Sequence, residues 1–240
     1  MPLTRLDLFQ DVFEGSAPLS LIEQQIAAIG TRDRMYQQLQ MSAEKGADMT
    51  FGEKWAAMTS GEKMEAIATR RRNRTYSTHA SCWRWGLEPD GMWRLYCGEK
   101  EGVALQTTFA RLEQSLEEAL KTEPLLIGKV QYGNYESMHP FTDPLDHIMY
   151  KREAFAFEQE VRILRVDEEH YNRLCSDITK DKLLPSVSIP WNIKTVIETI
   201  LVHPYVNDWY IEAVRAATRL IDEEFVERVG WSKLRKSPAF

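Results

Sequence analysis

The chain has 240 residues, a net charge of −6 and a pI near 5.5, with 43% hydrophobic and 28% charged residues. This length can bury a substantial core in one large domain or two small ones, and the acidic balance argues against a broad basic surface for nucleic acid. No apolar run reaches the roughly 18 residues of a membrane-spanning helix, and the N-terminal residues M-P-L-T-R lack the apolar region of a signal peptide. Because Cys82, Cys97 and Cys175 form no disulfide framework, we expect a cytoplasmic protein.

The N-terminal third of the chain predicts a helical lobe. The first residues read as a short strand or loop that ends in a turn at Gly15-Ser16. Helical spacing of apolar residues then recurs through residues 16–74. The last predicted helix of this lobe starts after Ser60 and carries Met64 and Ile67.

The remaining residues, 75–240, predict a sheet-containing core. Strands are expected at 75–83, 102–107, 125–135, 155–164 and 197–203, and helices at 89–96, 108–121, 143–151 and 207–225. Thr108 is the expected N-cap of the second of these helices, and the polar stretch 167–185 is expected to be an insertion loop. The chain is therefore predicted to be a single α+β domain, with the N-terminal helical lobe packed on a mostly antiparallel mixed sheet.

The segment Phe155–Leu164 alternates apolar and charged residues, broken only by Gln159. A strand of this period places Glu158, Glu160 and Arg162 on one face, about 7 Å apart from one to the next. Such a row is typical of cross-strand ion pairs on a sheet. It is also compatible with a substrate site, in which one carboxylate stabilises a developing cation and the other orients an acceptor.

Two further charged segments have alternative interpretations. Asp11 and Glu14 precede the Gly15-Ser16 turn, where acidic residues are usually turn formers or caps. They could instead join Glu158 and Glu160 around a metal, although no metal is predicted. The basic run Arg70–Arg74 favours a solvated helix end, with a local nucleic-acid contact as the alternative.

Aromatic residues are dense in Met92–Tyr96. Trp93 and Tyr96 fit core packing on one helix, or the walls of a pocket for a planar ring. Nearby, His79 and Cys82 are three apart on one predicted strand, so their side chains point to opposite faces and do not form a catalytic dyad.

Several segments together resemble the bacterial "domain of unknown function 2971" family. They are D-x-F-E-G-S at Asp11–Ser16, S-C-W at Ser81–Trp83, M-W-R-L-Y at Met92–Tyr96 with the following G-V-A-L-Q, K-R-x-x-F-x-F-E-x-E-V-R at Lys151–Arg162, and I-x-V-x-P at Ile200–Pro204. The resemblance covers almost the whole chain. Family members carry a further strand and helix before the acidic motif, whereas this sequence starts just before it. A truncated chain, a misassigned start and a lost segment all remain open.

The layout of this family resembles ADP-ribosyltransferase folds, in which a late strand carries an E-x-E pair. The resemblance implies that Glu160 would bind the nicotinamide-ribose hydroxyl of NAD and stabilise an oxocarbenium-like transition state, while Glu158 would orient the acceptor. The other implied cofactor contacts are Thr78, Ser81, Trp93, Tyr96 and Arg162. The basic or histidine anchor that those enzymes carry on their first strand has no clear match.

Three functions follow from these observations. The leading one is an NAD-dependent ADP-ribosyltransferase-like enzyme, of the toxin or antiviral-defence kind, that acts on an unknown macromolecular acceptor. The second is a metal-dependent nuclease with clustered carboxylates. The third is a non-catalytic binding or scaffold domain in which the charged row is structural.

Overall fold

The computed structural model describes residues 1–9, 26–27, 51–98, 101–134, 145–176 and 183–235. The chain divides into two compact units, and each is interrupted in sequence. The larger unit comprises residues 2–85 and 124–188, and the smaller one comprises Met1, 86–123 and 189–240. The prediction of a single domain stays a prediction.

In chain order, the described strands are β1 (Pro2–Arg5), β2 (Thr78–Arg84), β3 (Val103–Gln106), β4 (Leu125–Lys129), β5 (Gln131–Gly133), β6 (Tyr150–Arg152), β7 (Glu160–Val166), β8 (Ser186–Ser188), β9 (Thr199–Val202) and β10 (Val229–Trp231). The described α-helices are α1 (Phe51–Ala57), α2 (Ser60–Tyr76), α3 (Asp90–Tyr96), α4 (Phe109–Ser115), α5 (Glu117–Thr122), α6 (Glu168–Ser176), α7 (Ile193–Val196) and α8 (Trp209–Arg219). Short 3-10 helices include Leu6–Leu8, Asp146–Ile148, Glu153–Glu158 and Glu223–Arg228.

The larger unit is built on a five-stranded antiparallel sheet of order β4-β7-β2-β1-β8. Strands β2 and β7 form its longest pairing, from Thr78 opposite Val166 to Arg84 opposite Glu160. One face of the sheet packs into a core cluster of buried apolar side chains, namely Leu6, Ala80, Ile148, Leu164 and Val166. The contribution of Ile148 shows that the segment before β6 covers this face.

Helix α2 leads directly into strand β2, because only Ser77 lies between them. Its start is fixed by a capping box, in which the Thr59 side chain accepts from the Glu62 backbone and the Glu62 carboxylate accepts from the Thr59 backbone. The helix predicted after Ser60 is therefore confirmed. Of the helices predicted before residue 50, only Ile26 and Ala27 are described, and both are helical; the rest lies outside the described residues.

The smaller unit contains the three-stranded sheet β10-β9-β3, in which β9 pairs with β10 in parallel and with β3 antiparallel. The predicted cap at Thr108 is confirmed, since its side chain accepts from the backbone of Arg111 at the start of α4. The predicted helix is interrupted at Leu116, which separates α4 from α5.

Besides the charged row, three predictions about elements are wrong. Over its described residues, the helix expected at 143–151 is a 3-10 helix at Asp146–Ile148 followed by the start of strand β6. Residues 168–176 of the expected insertion loop form helix α6, because the Asp167 carboxylate caps its first turn by accepting from the backbone of His170. The helix expected up to Phe225 ends at Arg219, and a 3-10 helix follows from Glu223.

The broader fold prediction is confirmed, since the chain is mixed helix and sheet with mainly antiparallel pairing. Among the described residues, no helix combines the length and the apolar character that crossing a bilayer requires.

Candidate functional site

The two predicted catalytic carboxylates meet at a sharp turn in the larger unit. Glu158 ends a 3-10 helix, Gln159 adopts a left-handed conformation with φ 45° and ψ 52°, and Glu160 starts strand β7. The predicted strand over Phe155–Leu164 is therefore wrong in its first half. The residue that breaks the alternation, Gln159, is the point where the chain changes from helix to strand.

Both carboxylates converge on one lysine. Lys151 Nζ lies 2.6 Å from Glu158 Oε2 and 3.6 Å from Glu160 Oε2. Arg162 holds Glu160 in a bidentate pair, with Nε–Oε1 at 3.0 Å and Nη2–Oε2 at 3.1 Å. We call Lys151, Glu158, Glu160 and Arg162 the charge network. None of the four residues is more than 8% exposed.

Neighbouring strands fix the network in place. Arg162 also donates to the backbone carbonyl of Ile148, and the backbone N–H of Glu160 donates to Tyr132 Oη at 2.8 Å. Cys82, opposite Arg162 on β2, hydrogen bonds to the Glu160 carboxylate. The network thus joins β2 and β7 to the segment that contains Ile148.

Electrostatics favour the ionised form of Glu160. Burial alone would raise the pKa of its carboxyl, but the hydrogen bonds and charge of Arg162, with smaller contributions from Cys82 and Lys151, outweigh burial and lower that pKa. The network contains two anions and two cations, so its formal charge is zero. Because a buried charge without its partner is strongly destabilising, releasing either carboxylate to a ligand has a substantial energetic cost.

The two predicted cofactor contacts on β2, Thr78 and Ser81, lie in the same unit as the charge network but point to opposite faces of the sheet. Thr78 is buried, and its Oγ1 donates to the backbone carbonyl of Arg74 at 2.8 Å. Ser81 is opposite Ile163, whereas Cys82 is opposite Arg162. Since neighbours along a strand point to opposite faces, Ser81 lies on the face of the sheet away from the network.

The two predicted aromatic contacts belong to the smaller unit. Trp93 is 4% exposed and its Nε1 donates to Glu88 Oε2 at 3.0 Å. Its ring packs edge-on against His203, with 5.3 Å between ring centroids. Tyr96 is 70% exposed. Trp93 thus packs in the core of its unit, and a role for either residue in binding NAD stays a prediction.

The metal-dependent nuclease, the second predicted function, has little support among the described residues. Asp11 and Glu14 lie outside the described residues. Among the residues that the structure does describe, no group of three or more His, Cys, Asp or Glu side chains could hold a metal ion.

The basic run at the end of α2 is divided between the interior and the surface. Arg71 and Arg74 are buried, and burial lowers the pKa of Arg71 to about 10. Arg74 pairs with Glu168 at 2.6 Å, and its guanidinium lies 3.9 Å from the ring centroid of Tyr171. A nucleic-acid contact at this run stays a prediction, with the Arg74 side chain already engaged by α6.

Sequence reasoning missed a polar cluster at the start of α6. Asp167 accepts from Arg165 at 2.9 Å and contacts His170 Nδ1 at 2.5 Å. Burial alone would raise the pKa of Asp167, but these hydrogen bonds, with that from the His170 backbone, lower it to about 2. Asp167 and His170 have the spacing of a helix N-cap and the third residue of that helix. The interpretation of this segment as a loop does not take this signal into account.

No family model, characterised protein or solved structure matches the chain. The resemblance to the "domain of unknown function 2971" family therefore stays a prediction.

Proposed function

We propose that this chain is a non-catalytic binding domain in which the charge network stabilises the five-stranded sheet. The observation that carries the proposal is the pairing of the network, since both buried carboxylates are held by buried cations at 2.6 to 3.1 Å. A catalytic carboxylate must contact the reacting atoms, whereas Glu160 has both oxygens on Arg162.

The energetics support this structural role. Removing one partner from a buried ion pair usually costs about 3–5 kcal/mol, because the other charge is left in a medium of low polarity. A substrate that displaced Arg162 from Glu160 would have to compensate a cost of this order. Binding a ligand at another place in the unit carries no such cost. The cavity beside His79 is one such place.

An NAD-dependent ADP-ribosyltransferase-like enzyme, of the toxin or defence kind, is the second candidate. It is favoured by the convergence of Glu158 and Glu160, whose carboxylates reach the same lysine across the left-handed residue Gln159. In this candidate, Glu160 stabilises an oxocarbenium-like transition state and Glu158 orients a macromolecular acceptor. In this candidate, substrate binding rearranges the network, since catalytic hydrogen bonds often form fully only in the substrate complex.

Release of nicotinamide from NAD separates the two candidates. The comparison uses the wild type, Glu160→Gln, Glu158→Gln and, as a control, Glu153→Gln, which alters an exposed glutamate at the start of the same 3-10 helix. The binding domain predicts no release above the buffer blank from any of the proteins. It also predicts no calorimetric signal for NAD at millimolar concentration.

The opposite result would favour the transferase and overturn the proposal. That result is release by the wild type and by Glu153→Gln, lost in Glu160→Gln. Circular dichroism must then show that the folded spectrum of Glu160→Gln is retained, so that loss of activity reflects the missing carboxylate.

A further inference from the structure

Residues 183–185 lead into strand β8, and their backbone carbonyls hold them to the five-stranded sheet of the larger unit. The Leu183 carbonyl accepts from Arg5 Nη1 at 2.9 Å, and the Pro185 carbonyl accepts from the backbone N–H of Arg5 at 2.9 Å. The carbonyl between them, that of Leu184, lies 3.0 Å from His79 Nε2. Of the two residue types that hold the segment, only histidine ordinarily changes its charge near neutral pH.

The His79 ring is enclosed by the protein, with 6% of the residue exposed. A carbonyl oxygen only accepts hydrogen bonds, so Nε2 carries the proton that faces Leu184, and Nδ1 of the neutral ring carries the lone pair. Nδ1 is buried, and no described residue hydrogen bonds to it. A proton added at Nδ1 would therefore create a buried N–H donor without an acceptor among the described residues, which costs free energy.

The charges around the ring also oppose its protonation. Arg5 on β1 and Arg165 on β7 lie directly opposite His79, one on each side. Asp7 pairs with Arg5, and Asp167 pairs with Arg165. Burial is the largest cause that lowers the pKa of His79, and both arginines lower it further. The hydrogen bond to the backbone and the Asp167 carboxylate offset only part of this decrease.

A cavity of about 100 Å³ lies beside His79, and the 183–185 segment forms part of its wall. Two further titratable side chains line this cavity, namely Tyr76 at the end of α2 and His170 on α6. The pKa of Asp167 is lowered to about 2, so this carboxylate keeps its charge between pH 7 and pH 5. The segment itself, L-L-P, carries no titratable side chain. Imidazole is the side chain that ordinarily changes its charge in this pH interval.

We propose that His79 is an acid-sensitive switch, which holds residues 183–185 on the sheet at neutral pH and releases them in acid. Release gives the ring access to water, where an imidazole has its ordinary pKa of about 6.5. Because the pKa is lowered in the closed state, the closed state is fully favoured above that ordinary value and progressively less favoured as the pH falls below it. Release also removes part of the cavity wall, so access to the cavity depends on pH.

Hydrogen exchange of the Arg5 amide measures this release, because that N–H donates to Pro185 in the closed state. Protection factors, corrected for the intrinsic pH dependence of exchange, are compared at pH 7 and pH 5. In the wild type we expect protection to fall towards about 25-fold, the limit that linkage sets for an imidazole with an ordinary pKa of about 6.5. The Val130 amide, which donates to Glu160 near the opposite edge of the sheet, is the internal control and should change less.

Two variants assign the effect to one imidazole. His79→Gln retains an N–H donor for the Leu184 carbonyl but does not titrate, so its Arg5 protection should not vary with pH. His170→Gln removes the second imidazole on the cavity and should retain the pH dependence of the wild type. If His79→Gln does not fold, an NMR titration of the wild-type imidazole resonances replaces it. The His79 midpoint should then lie below its ordinary value, and Arg5 protection should be lost between that midpoint and about pH 6.5.

Three results would overturn the switch: constant Arg5 protection in the wild type, a pH dependence that survives in His79→Gln, or a His79 midpoint at its ordinary value. An equal loss of protection at Val130 would also overturn it, because acid would then destabilise the whole sheet rather than the 183–185 segment. The inference goes beyond the proposed function and holds for a binding domain and an enzyme alike. Nicotinamide release and amide exchange are separate measurements, so failure of one proposal is distinguishable from failure of the other.

Discussion

Replacing Glu160 by glutamine tests whether the charge network stabilises the sheet. The substitution conserves shape and removes one anion, so the network keeps two buried cations, Lys151 and Arg162, and only one carboxylate, that of Glu158. Arg162 is fully buried and has no access to water that could replace the lost pairing. From the cost of breaking a buried ion pair, we expect the free energy of unfolding to fall by about 3–5 kcal/mol.

The assay is chemical and thermal unfolding, with hydrogen exchange of the β7 amides as the local measurement. For a chain of this size, 1 kcal/mol corresponds to about 2–4 °C in Tm, so the expected loss is about 6–20 °C. Glu118→Gln is the matched control, since Glu118 pairs with Lys121 at the same 2.6 Å distance as Lys151 with Glu158, but on the surface. We expect no measurable change in the control because exposed pairs contribute little.

The pH dependence supplies a second readout. Because the folded-state pKa of Glu160 is lowered, its contribution is complete above the ordinary pKa of a glutamate and is lost as the pH falls through the lower folded value. The difference in free energy of unfolding between the wild type and Glu160→Gln should therefore become smaller at acidic pH. A loss below about 1 kcal/mol at neutral pH, or one that does not vary with pH, would refute a network role of this size.

Two further predictions concern backbone geometry and capping. Asp167→Ala should destabilise the protein by about 1–2 kcal/mol at neutral pH, because it removes the cap of α6. Since the pKa of Asp167 is lowered to about 2, this effect should disappear as the pH falls from about 4 through that value, and urea unfolding across this range would show it. At Gln159, where φ is 45°, Gln159→Gly should equal or exceed the wild type in stability. Gln159→Val should be less stable by at least about 1 kcal/mol; an unchanged Tm in Gln159→Val would contradict left-handed strain there.

The sequence predicted those parts of the fold that local patterns determine. Alternation and β-branched residues located the strands that became β2, β3 and β9, and the side-chain cap at Thr108 marked the start of α4. The break in alternation at Gln159 was visible in the sequence. The residue type does not indicate a left-handed conformation at a position other than glycine, so the predicted strand begins too early, before Gln159.

The candidate site was predictable only in part. Glu160 and Arg162 share a strand face, as their two-residue spacing predicts, and Glu158 joins them through the turn. The cavity could not be predicted, because the hydrogen bond from His79 to Leu184 spans 105 positions of sequence. Contacts of that kind depend on the pairing of β1 with both β2 and β8, which no local pattern reports.

The interleaving of the two units has a consequence for how the chain folds as it is synthesised. Strand β2 cannot complete its main pairing until β7 has left the ribosome, about 80 residues later, and β3 must wait for β9, about 95 residues later. Any fragment that stops between residues 107 and 159 leaves both sheets without their central partners. Nascent chains of that length expose unpaired strand edges. We therefore expect aggregation and chaperone binding to occur mainly on arrested nascent chains and less on the finished protein.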